Sequence, residues 1–286
     1  MIEVISAGIY STIQDKGRFG YRNMGVPVSG AMDHYSAFVA NSLVGNDINA
    51  AVLEMTFNGP HLNFHKSAII AVAGAPIVIK LNNQIIKQST VINITKGDVL
   101  ALGAISCGVR CYLAIAGGFN SPKVLNSRSY YSAITKHTQL HKGDEIDFDH
   151  SAALTIRHHS TVHLDEKHFN NNRINVYPGP EFHTLSDSIK AQIFNKKFKV
   201  ASTSNRMAYT FELGIDIKSD DKINEIITSS VQPGTVQLTP SGELIVLMRD
   251  CQTTGGYVRI LQLTEHSINQ LSQKTPAIEL QFNLID

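Results

Sequence analysis

Apolar positions along most of the chain fall in short runs separated by turn residues. The first half contains SAIIAVAG, PIVIKL, TVINIT, DVLALG and RCYLAIAGG, and the second half contains RINVYPG, FKVASTS, TVQLTP, ELIVLM and YVRILQLT. Short strands at close spacing are typical of barrels or sandwiches and not of a doubly wound parallel sheet. The pattern therefore predicts a mainly β fold with few helices.

One segment has the periodicity of an amphipathic helix. Residues 30–44 place apolar side chains on one stripe, with Ser29 as the expected N-cap and Gly45 as the expected C-cap. The stripe consists of Met32, Tyr35, Val39 and Leu43. Shorter helices are predicted at 186–194, 220–230 and 266–271.

Two segments of the chain resemble each other in the order of their apolar positions. One runs from Gly97 to Gly118 and the other from Gly234 to Gly256, and each ends in a Gly-Gly pair. They indicate either an ancient duplication or a chance similarity. The polar stretch 163–173 is the expected boundary, so we predict a first β-domain at 1–162, which carries the Gly-rich segment and the helix, and a second at 163–286.

Composition and charge limit the class of protein. A hydrophobic share of 43% and a charged share of 17% are those of a packed globular chain. The net charge of +1 argues against binding to nucleic acid. The N-terminus has no basic region followed by an apolar core, and the longest apolar stretch, 67–79, is too short to span a bilayer. We therefore expect neither a signal peptide nor a membrane segment.

The cysteines favour a reducing compartment. On one extended strand, Cys107 and Cys111 would lie roughly 13 Å apart, beyond the reach of a disulfide. With Cys251 as the third thiol, a cytoplasmic location fits best. No histidine lies near Cys251 in sequence to activate it, so we interpret it as a small residue in a turn.

The common catalytic and metal-binding motifs are absent from the sequence. It contains no Walker loop, no GxGxxG after a strand, no GxSxG elbow, no HExxH and no paired CxxC. Three histidines, His158, His159 and His163, lie close together without a nearby cluster of thiols or carboxylates. We interpret it as a solvated loop and expect no metal site.

A glycine-rich stretch near the N-terminus is the first candidate for chemistry. Residues 12–33 contain Gln14, Asp15 and Arg18 among glycines and end at Asp33. Glycine lets backbone N–H groups approach a ligand, and arginine can hold a carboxylate or phosphate with two hydrogen bonds. For Asp33, a helix start favoured by the helix dipole is the alternative.

Two further candidates lie at strands. Glu54 interrupts an apolar strand, and it either faces solvent or lines the mouth of a barrel. The strand that ends at Gly117 and Gly118 is followed by a polar loop with Asn126, Ser127 and Arg128. Sites are often placed on loops at strand ends, so this loop predicts a ligand contact.

The second half contributes two more stretches. Arg206 and Tyr209 either face a ligand or, for Arg206, pair with a nearby acid. The turn after LIVLMRD supplies hydrogen-bonding groups and close backbone approach through Gln252, Thr253, Thr254, Gly255 and Tyr257.

Taken together, these stretches resemble a known family. TIQDKGRFGY, GVPVSGAMDHYSAFVANSLVGN, AAVLEMTFNGP, AIAGGFNSPKVLNSRSYY, NRMAYTFE and VQPGTVQLTPSGELIVLMRDCQTTGGY occur in the order expected for the C subunit of 5-oxoprolinase. That family is also called allophanate hydrolase subunit 2. It includes the kinase-inhibitor antagonist of the Kip system and is similar to half of the carboxyltransferase domain of urea carboxylase. The resemblance covers about 5–282.

The resemblance implies a fold of two cyclophilin-like β-barrel domains and a cytoplasmic hetero-oligomer. With the B and A subunits of 5-oxoprolinase, the chain would hydrolyse the cyclic amide 5-oxo-L-proline to L-glutamate, with cleavage of ATP accompanied by Mg²⁺. Phosphorylating the amide oxygen makes a poor electrophile reactive, and arginines and backbone donors would stabilise the charge. The implied catalytic residues are Asp15, Arg18, Asp33 and Arg128. The other candidates, Gln14, Glu54, Gly117, Gly118, Asn126, Ser127, Arg206, Tyr209, Gln252, Thr253, Thr254, Gly255 and Tyr257, would bind substrate or nucleotide.

The chain departs from the family pattern at several positions. Asn205 replaces an acid, Ala208 a glycine and Cys251 an arginine, for which Arg249 is a possible substitute. Two alternative functions therefore stay open. One is a regulatory partner that sequesters a kinase-inhibiting B subunit. The other is half of a carboxyltransferase acting on a urea-like amide, although the sequence contains no biotin-accepting Met-Lys motif and we expect no biotin.

Overall fold

The structure is a computed structural model and describes residues 1–149, 161–218, 223 and 226–285. The chain divides into two compact units: unit one comprises Met1–Phe19 and Ser29–Phe169, and unit two comprises Gly20–Val28 and Asn170–Asp286. The domains 1–162 and 163–286 stay a prediction. The compact units differ from them in the placement of 163–169 and of Gly20–Val28.

Unit one is built from short antiparallel strands. They are β1 (Ile2–Ser6), β2 (Tyr10–Gln14), β3 (Val52–Thr56), β4 (His61–Phe64), β5 (Ala68–Gly74), β6 (Ile77–Leu81), β7 (Gln84–Ile86), β8 (Val91–Ile94), β9 (Val99–Ile105), β10 (Arg110–Ile115) and β11 (Glu145–Ile146). One sheet has the order β11-β1-β4-β9-β6-β7 and the other β2-β3-β10-β5-β8.

The five-stranded sheet of unit one is covered on both faces. Leu53, Val72 and Leu113 belong to a core cluster shared with the six-stranded sheet, whereas Ala73 and Tyr112 belong to a second cluster formed with a helix. Every residue of β5 and β10 is buried as a result. This burial is why both strands are almost continuously apolar instead of alternating.

The helix that covers this sheet is α1 (His34–Leu43), and it begins later than predicted. Its N-cap is Asp33, whose side chain accepts a hydrogen bond from the backbone N–H of Ser36. The prediction of Ser29 as N-cap is wrong, because Ser29 and Gly30 have φ values of 61° and 92°. Such left-handed backbone cannot start a right-handed helix. A short helix, α2 (Lys167–Asn170), lies at the end of unit one.

Unit two is also mainly β. Its strands are β12 (Arg173–Pro178), β13 (Phe198–Lys199), β14 (Ala208–Thr210), β15 (Ser229–Ser230), β16 (Thr235–Leu238), β17 (Leu244–Leu247), β18 (Thr254–Gly255), β19 (Val258–Leu263) and β20 (Glu279–Leu284). A seven-stranded sheet has the order β13-β20-β12-β19-β16-β17-β14, and β15 pairs with β18. Together the two units confirm the predicted mainly β fold.

The helices of unit two begin at side-chain caps. Ser186 caps α3 (Asp187–Asn195) and Thr264 caps α4 (Glu265–Leu271), which confirms two of the shorter predicted helices. Of the helix predicted at 220–230, residues 220–222 and 224–225 lie outside the described residues, and Ser229–Ser230 forms a strand. No helix in the described part of the chain is long and apolar enough to cross a membrane.

The two segments that resemble each other in sequence pair differently. In unit one, β9 and β10 lie in different sheets, whereas in unit two β16 and β17 are hydrogen-bonded neighbours. Duplication stays a hypothesis, and the segments do not occupy equivalent positions in their sheets.

Candidate functional site

The carboxylate of Asp15 organises the most densely hydrogen-bonded loop of unit one. Its Oδ1 accepts hydrogen bonds from the backbone N–H of Gly17 (2.8 Å) and from the hydroxyls of Ser127 (2.7 Å) and Ser129 (2.6 Å). Its Oδ2 accepts one from the backbone N–H of Arg128 at 2.6 Å. An ionised carboxylate offers about four acceptor positions, so these donors occupy most of its capacity. Asp15 therefore positions the loop, and its catalytic role stays a prediction.

The loop turns sharply just before these serines. Val124 and Ser127 exchange backbone hydrogen bonds around Leu125 and Asn126, which have φ values of 52° and 61°. Left-handed backbone at a leucine is strained and is maintained by its surroundings. Buried Arg18 adds one of these restraints by donating a hydrogen bond to the carbonyl of Ser129.

An open cleft of about 780 Å³ lies beside this loop. Five predicted residues line it, namely Asp15, Gly117, Gly118, Asn126 and Arg128. Gly117 and Gly118 have φ values of 85° and 79°, which glycine adopts without strain. A Cβ on Gly118 would lie 3.3 Å from the Cβ of Ala50, so a side chain there would crowd the wall of the cleft. Residues far apart in the sequence, such as Asp15 and Gly117, thus meet at one site.

Arg128 is held at the rim of the cleft by the preceding loop. Its guanidinium donates hydrogen bonds to the carbonyl of Ser121 and, at 2.6 Å, to the side-chain oxygen of Asn120. Because these hydrogen bonds already order the side chain, less conformational entropy is lost when the arginine binds a ligand. The arrangement suits recognition of an anion.

The cleft also contains charged residues that the sequence reasoning did not single out. They are Lys16, Asp47, Lys123, Asp147 and Asp149. Lys16 lies within the motif TIQDKGRFGY and Lys123 within the loop that follows Gly118. Both lysines therefore belong to segments that the sequence already indicated as candidates. Asp147 and Asp149 are exposed on either side of the buried Phe148, an alternation typical of a strand. No sequence motif indicates that they line the cleft, and only the fold places them there.

Asp33 and Glu54 belong to a buried network beneath α1. The Oε2 of Glu54 accepts hydrogen bonds from the backbone N–H of Met32 (2.7 Å) and the hydroxyl of Tyr112 (2.8 Å). The Oδ2 of Asp33 lies 2.7 Å from the Nε2 of His168. Burial, followed by the nearby charge of Glu54, raises the pKa of Tyr112.

This network changes the interpretation of both carboxylates. Glu54 is 1% exposed, so the solvated-face interpretation is wrong. Asp33 serves as the N-cap of α1, which confirms the alternative of a helix start. Neither side chain is among those that line the 780 Å³ cleft. A catalytic role for Asp33 and a binding role for Glu54 stay predictions.

In unit two, Arg206 forms a two-pronged ion pair with Asp250. Its Nε lies 2.7 Å from one carboxylate oxygen and its Nη2 lies 3.1 Å from the other. Both side chains are 9% exposed. Pairing with a nearby acid, the alternative interpretation of Arg206, is therefore confirmed. Tyr209 is buried, and its hydroxyl lies 3.4 Å from the carbonyl of Ser272.

The turn that follows Asp250 is stabilised by backbone pairing. Thr254 and Gly255 pair with Ser230 and Ser229, and the backbone N–H of Val231 donates to the carbonyl of Thr253. A Cβ on Gly255 would lie 2.8 Å from the side-chain nitrogen of Gln237. The side chains of Gln252, Thr254 and Tyr257 are exposed and available for contact.

Cys251 is buried beneath this turn. It packs with Val231 and Leu247 in a small apolar cluster, and burial raises the pKa of its thiol to about 12. A thiol with this pKa is protonated near neutral pH, in agreement with a structural role. Arg249 is committed elsewhere, because it donates hydrogen bonds to Glu265 at 2.6 Å and to Asn269 at 3.0 Å. It does not replace the arginine expected at position 251.

A second cleft, of about 380 Å³, lies in unit two. Arg22, which belongs to the candidate glycine-rich stretch 12–33, lines it together with Arg259, which was not among the predicted residues. Arg259 is held by Glu181 at 2.6 Å, and this hydrogen bond keeps the pKa of Glu181 below its ordinary value. Arg22 donates to the carbonyl of Val231. The predicted residues Arg206, Tyr209, Gln252 and Thr254 are not among those that line this cleft.

The predicted histidine loop is described only in part. His158 and His159 lie outside the described residues, and His163 is exposed. Within the described ranges, no group of three or more His, Cys, Asp or Glu side chains is arranged to hold a metal ion.

Comparison with known proteins identifies relatives over nearly the whole chain. The family model of the carboxyltransferase domain, subdomain A and B, matches residues 24–284. The 5-oxoprolinase C subunit of Escherichia coli (strain K12) is 33% identical over 277 residues, which are 96% of this chain and 87% of that protein.

Urea amidolyases are similar over a smaller part of their own length. That of Lachancea kluyveri is 47% identical over 131 residues, 46% of this chain and 7% of that protein. The crystal structure of the K. lactis urea amidolyase has a TM-score of 0.89 and 29% identity, and the match covers 100% of this chain and 19% of that one. The chain thus corresponds to most of a 5-oxoprolinase C subunit and to a small part of a urea amidolyase.

Proposed function

Because the chain belongs to the carboxyltransferase domain family of subdomains A and B, we propose that it is a subunit of an ATP-dependent 5-oxoprolinase. The observation that carries this proposal is the 33% identity to a 5-oxoprolinase C subunit over 96% of the chain. In the proposed complex it acts with the A and B subunits, and the complex hydrolyses 5-oxo-L-proline to L-glutamate while ATP is cleaved. Both units would then be cyclophilin-like barrels, and the complex would act in the cytoplasm.

The cleft of unit one supports a role in binding a phosphorylated ligand. Lys16, Lys123 and Arg128 supply positive charge there, and Gly117 and Gly118 allow the backbone to approach a ligand. Asp47 and Asp149 also line the cleft, so a bare triphosphate would meet repulsion. The Mg²⁺ complex of ATP is the form that suits this mixture of charges, because the cation offsets the repulsion from the carboxylates.

The decisive experiment is reconstitution of the complex. The chain is co-expressed with its A and B subunits, and hydrolysis of ATP is measured with and without 5-oxoproline. We expect ATP hydrolysis that depends on 5-oxoproline and on all three chains. Absence of turnover together with tight binding to the B subunit alone would overturn the enzyme proposal and favour a regulatory binding partner.

A second function is supported by the similarity to urea amidolyases. The 47% identity over 131 residues and the TM-score of 0.89 favour a carboxyltransferase-like half that acts on a urea-like amide. Transfer of a carboxyl group from a separately supplied biotinylated carrier protein to urea, in the absence of 5-oxoproline turnover, would favour this function.

A further inference from the structure

Gln14 is a fully buried polar side chain at the end of β2. It is 0% exposed. Its side-chain nitrogen donates hydrogen bonds to the hydroxyl of Thr12 at 3.0 Å and to the backbone carbonyl of Tyr130 at 3.3 Å. A carbonyl oxygen can only accept, so this contact fixes which end of the amide is the nitrogen.

The side-chain oxygen of Gln14 has no hydrogen-bond partner among the described residues. A buried acceptor without a partner is unfavourable, because it has lost its hydrogen bonds to water and has not replaced them. Native structures seldom leave such a group unsatisfied, and an exception calls for a water molecule or a ligand. Gln14 therefore marks a position at which a hydrogen-bond donor is expected.

Gln14 lines a small pocket of about 120 Å³. Its wall includes the apolar side chains of Ala31, Ala37, Phe38, Ile48 and Val52, and the polar residues Asp15, Lys16, His34, Asn41 and Asn49 also line it. Pockets for drug-sized ligands have volumes of about 300–1,000 Å³, so this one suits a single small ring and not a nucleotide. The apolar part of the wall favours a ligand that is largely hydrocarbon, and the unpaired oxygen of Gln14 favours one that carries an N–H or O–H group.

The pocket opens beside the larger cleft of unit one. Asp15, Lys16, Asn49 and Ala50 line both spaces. Phe38 and Ile48 are 44% and 54% exposed, so their apolar surface is available to cover a bound ring. A ring held in the pocket would present its outward-facing atoms to the cleft that is proposed to bind Mg-ATP.

We propose that this pocket is the lactam subsite, in which Gln14 accepts a hydrogen bond from the ring N–H. The hydrocarbon part of the ring packs against Ala37, Phe38 and Val52. The inference rests on the proposed function for the identity of the ligand as a lactam. Gln14 would then distinguish a cyclic amide from a ring of the same size that has no N–H group.

Two small probes of equal size test this discrimination. 2-Pyrrolidinone carries the ring N–H, and γ-butyrolactone carries an oxygen in its place. Each is titrated into the full ¹⁵N-labelled chain, and ¹H–¹⁵N correlation spectra report the side-chain amide of Gln14. We expect 2-pyrrolidinone to shift that amide with a Kd of about 1 mM. The lactone should bind at least about tenfold more weakly, because it leaves the glutamine oxygen unpaired.

Two substitutions address the pocket from different sides. Gln14→Met removes the acceptor, and Ala37→Met fills the pocket from α1 without altering Gln14. Both should lose binding of 2-pyrrolidinone, and in the Ala37→Met protein the Gln14 amide should no longer respond. Gln237→Met is the matched control, because Gln237 is a buried glutamine of unit two that lies outside the pocket. It should bind the lactam as the unmodified chain does.

The outcomes separate this inference from the proposed function. Equal affinity for lactam and lactone, binding retained by the Ala37→Met protein, or absence of any shift at about 100-fold the expected Kd would overturn the inference. In the reconstituted complex, normal turnover of 5-oxoproline with a Gln14→Met KM equal to that of the unmodified chain would also overturn it, while the proposed function would stand. Lactam-selective binding without turnover would leave the inference in place and remove the proposed function.

Discussion

The carboxylate of Asp15 lies 2.6 Å from the backbone nitrogen of Arg128, although 113 positions separate the two residues in the sequence. This hydrogen bond joins the segment after β2 to the loop that ends at the cleft of unit one. The same carboxylate holds the hydroxyls of Ser127 and Ser129. The position of the Arg128 guanidinium at the rim thus depends on Asp15.

Replacing Asp15 by asparagine should damage both stability and activity. The amide of an Asp15→Asn side chain would place a donor against the backbone N–H of Arg128 or against the serine hydroxyls, which leaves buried donors unpaired. We expect a loss of about 1–3 kcal/mol in the free energy of unfolding of unit one. Activity of the reconstituted complex should fall at least about tenfold, as measured by 5-oxoproline-dependent ATP hydrolysis.

Asp147 provides the matched control for the stability measurement, because it is exposed and lines the same cleft. Asp147→Asn should change the free energy of unfolding by less than about 0.5 kcal/mol. Equal stability of the Asp15→Asn and Asp147→Asn proteins in urea would show that Asp15 does not hold the loop.

Removing the side chain of Arg128 should abolish activity and leave the fold intact. Its guanidinium donates hydrogen bonds to Ser121 and Asn120, in the loop that precedes it. Arg128→Ala should therefore shift the thermal midpoint by only about 2–4 °C, which corresponds to about 1 kcal/mol. Turnover by the reconstituted complex should be lost.

Asn120→Ala distinguishes positioning from charge at Arg128. It removes the hydrogen bond of 2.6 Å between the guanidinium and the side-chain oxygen of Asn120, and it keeps the positive charge. We expect a loss of activity smaller than that of Arg128→Ala, measured as a lower kcat/KM that results from a raised KM for ATP. A large fall in the thermal midpoint of Arg128→Ala would instead identify Arg128 as a structural residue.

The ion pair between Glu181 and Arg259 should make the stability of unit two depend on pH. Hydrogen bonds from Arg259 lower the pKa of Glu181 below its ordinary value of 4.5. A depressed carboxyl pKa contributes stability that is fully present above the unfolded value and is lost as pH falls through the folded value. Glu181→Gln should therefore cost about 1–2 kcal/mol at pH 7, and this cost should disappear below the depressed pKa of Glu181.

Urea unfolding at pH 7, 5 and 3 measures this difference. Glu279→Gln is the control, because Glu279 forms an exposed pair with Lys197, in which the side chains are 59% and 69% exposed. Exposed pairs contribute little, so that variant should follow the unmodified chain at every pH. A constant Glu181→Gln difference from pH 7 to pH 3 would contradict the assignment of the effect to the carboxylate charge.

Introducing the family arginine at position 251 should destabilise unit two. Cys251 is 1% exposed between Val231 and Leu247, so a guanidinium there would be buried in the apolar cluster, and the neighbouring Asp250 is already paired with Arg206. We expect Cys251→Arg to cost at least about 3 kcal/mol, whereas Cys251→Ala should cost only about 1 kcal/mol. Chemical denaturation of the two variants gives the comparison.

Alkylation of the Cys251 thiol gives an independent measurement of its burial. With a pKa of about 12, Cys251 should resist alkylation by iodoacetamide at pH 8 in the folded chain. The partly exposed Cys107 should be modified first. Rapid alkylation of Cys251, or a Cys251→Arg protein as stable as the unmodified chain, would contradict its burial.

Local pattern was enough to predict the longer strands of this protein, whereas the predicted start of α1 was wrong. The apolar runs that form β5, β10, β16, β17 and β19 can be recognised in the sequence. Strands need contiguous or alternating apolar residues, and this requirement acts over only a few positions. Ser186 as the cap of α3 is an equally local feature. The motif order also placed the chain in its family.

The surroundings of single side chains depended on contacts between distant segments. Nothing within a few residues of Glu54 indicates that Tyr112, opposite it in the β3–β10 register, buries and binds its carboxylate. Likewise, Asp147 and Asp149 line the cleft beside Gly117 because Phe148, between them, pairs with the distant Phe119. Local preference sets which residues form strands, whereas long-range pairing sets which polar groups meet, because a hydrogen bond requires distances of about 3 Å that no local pattern encodes.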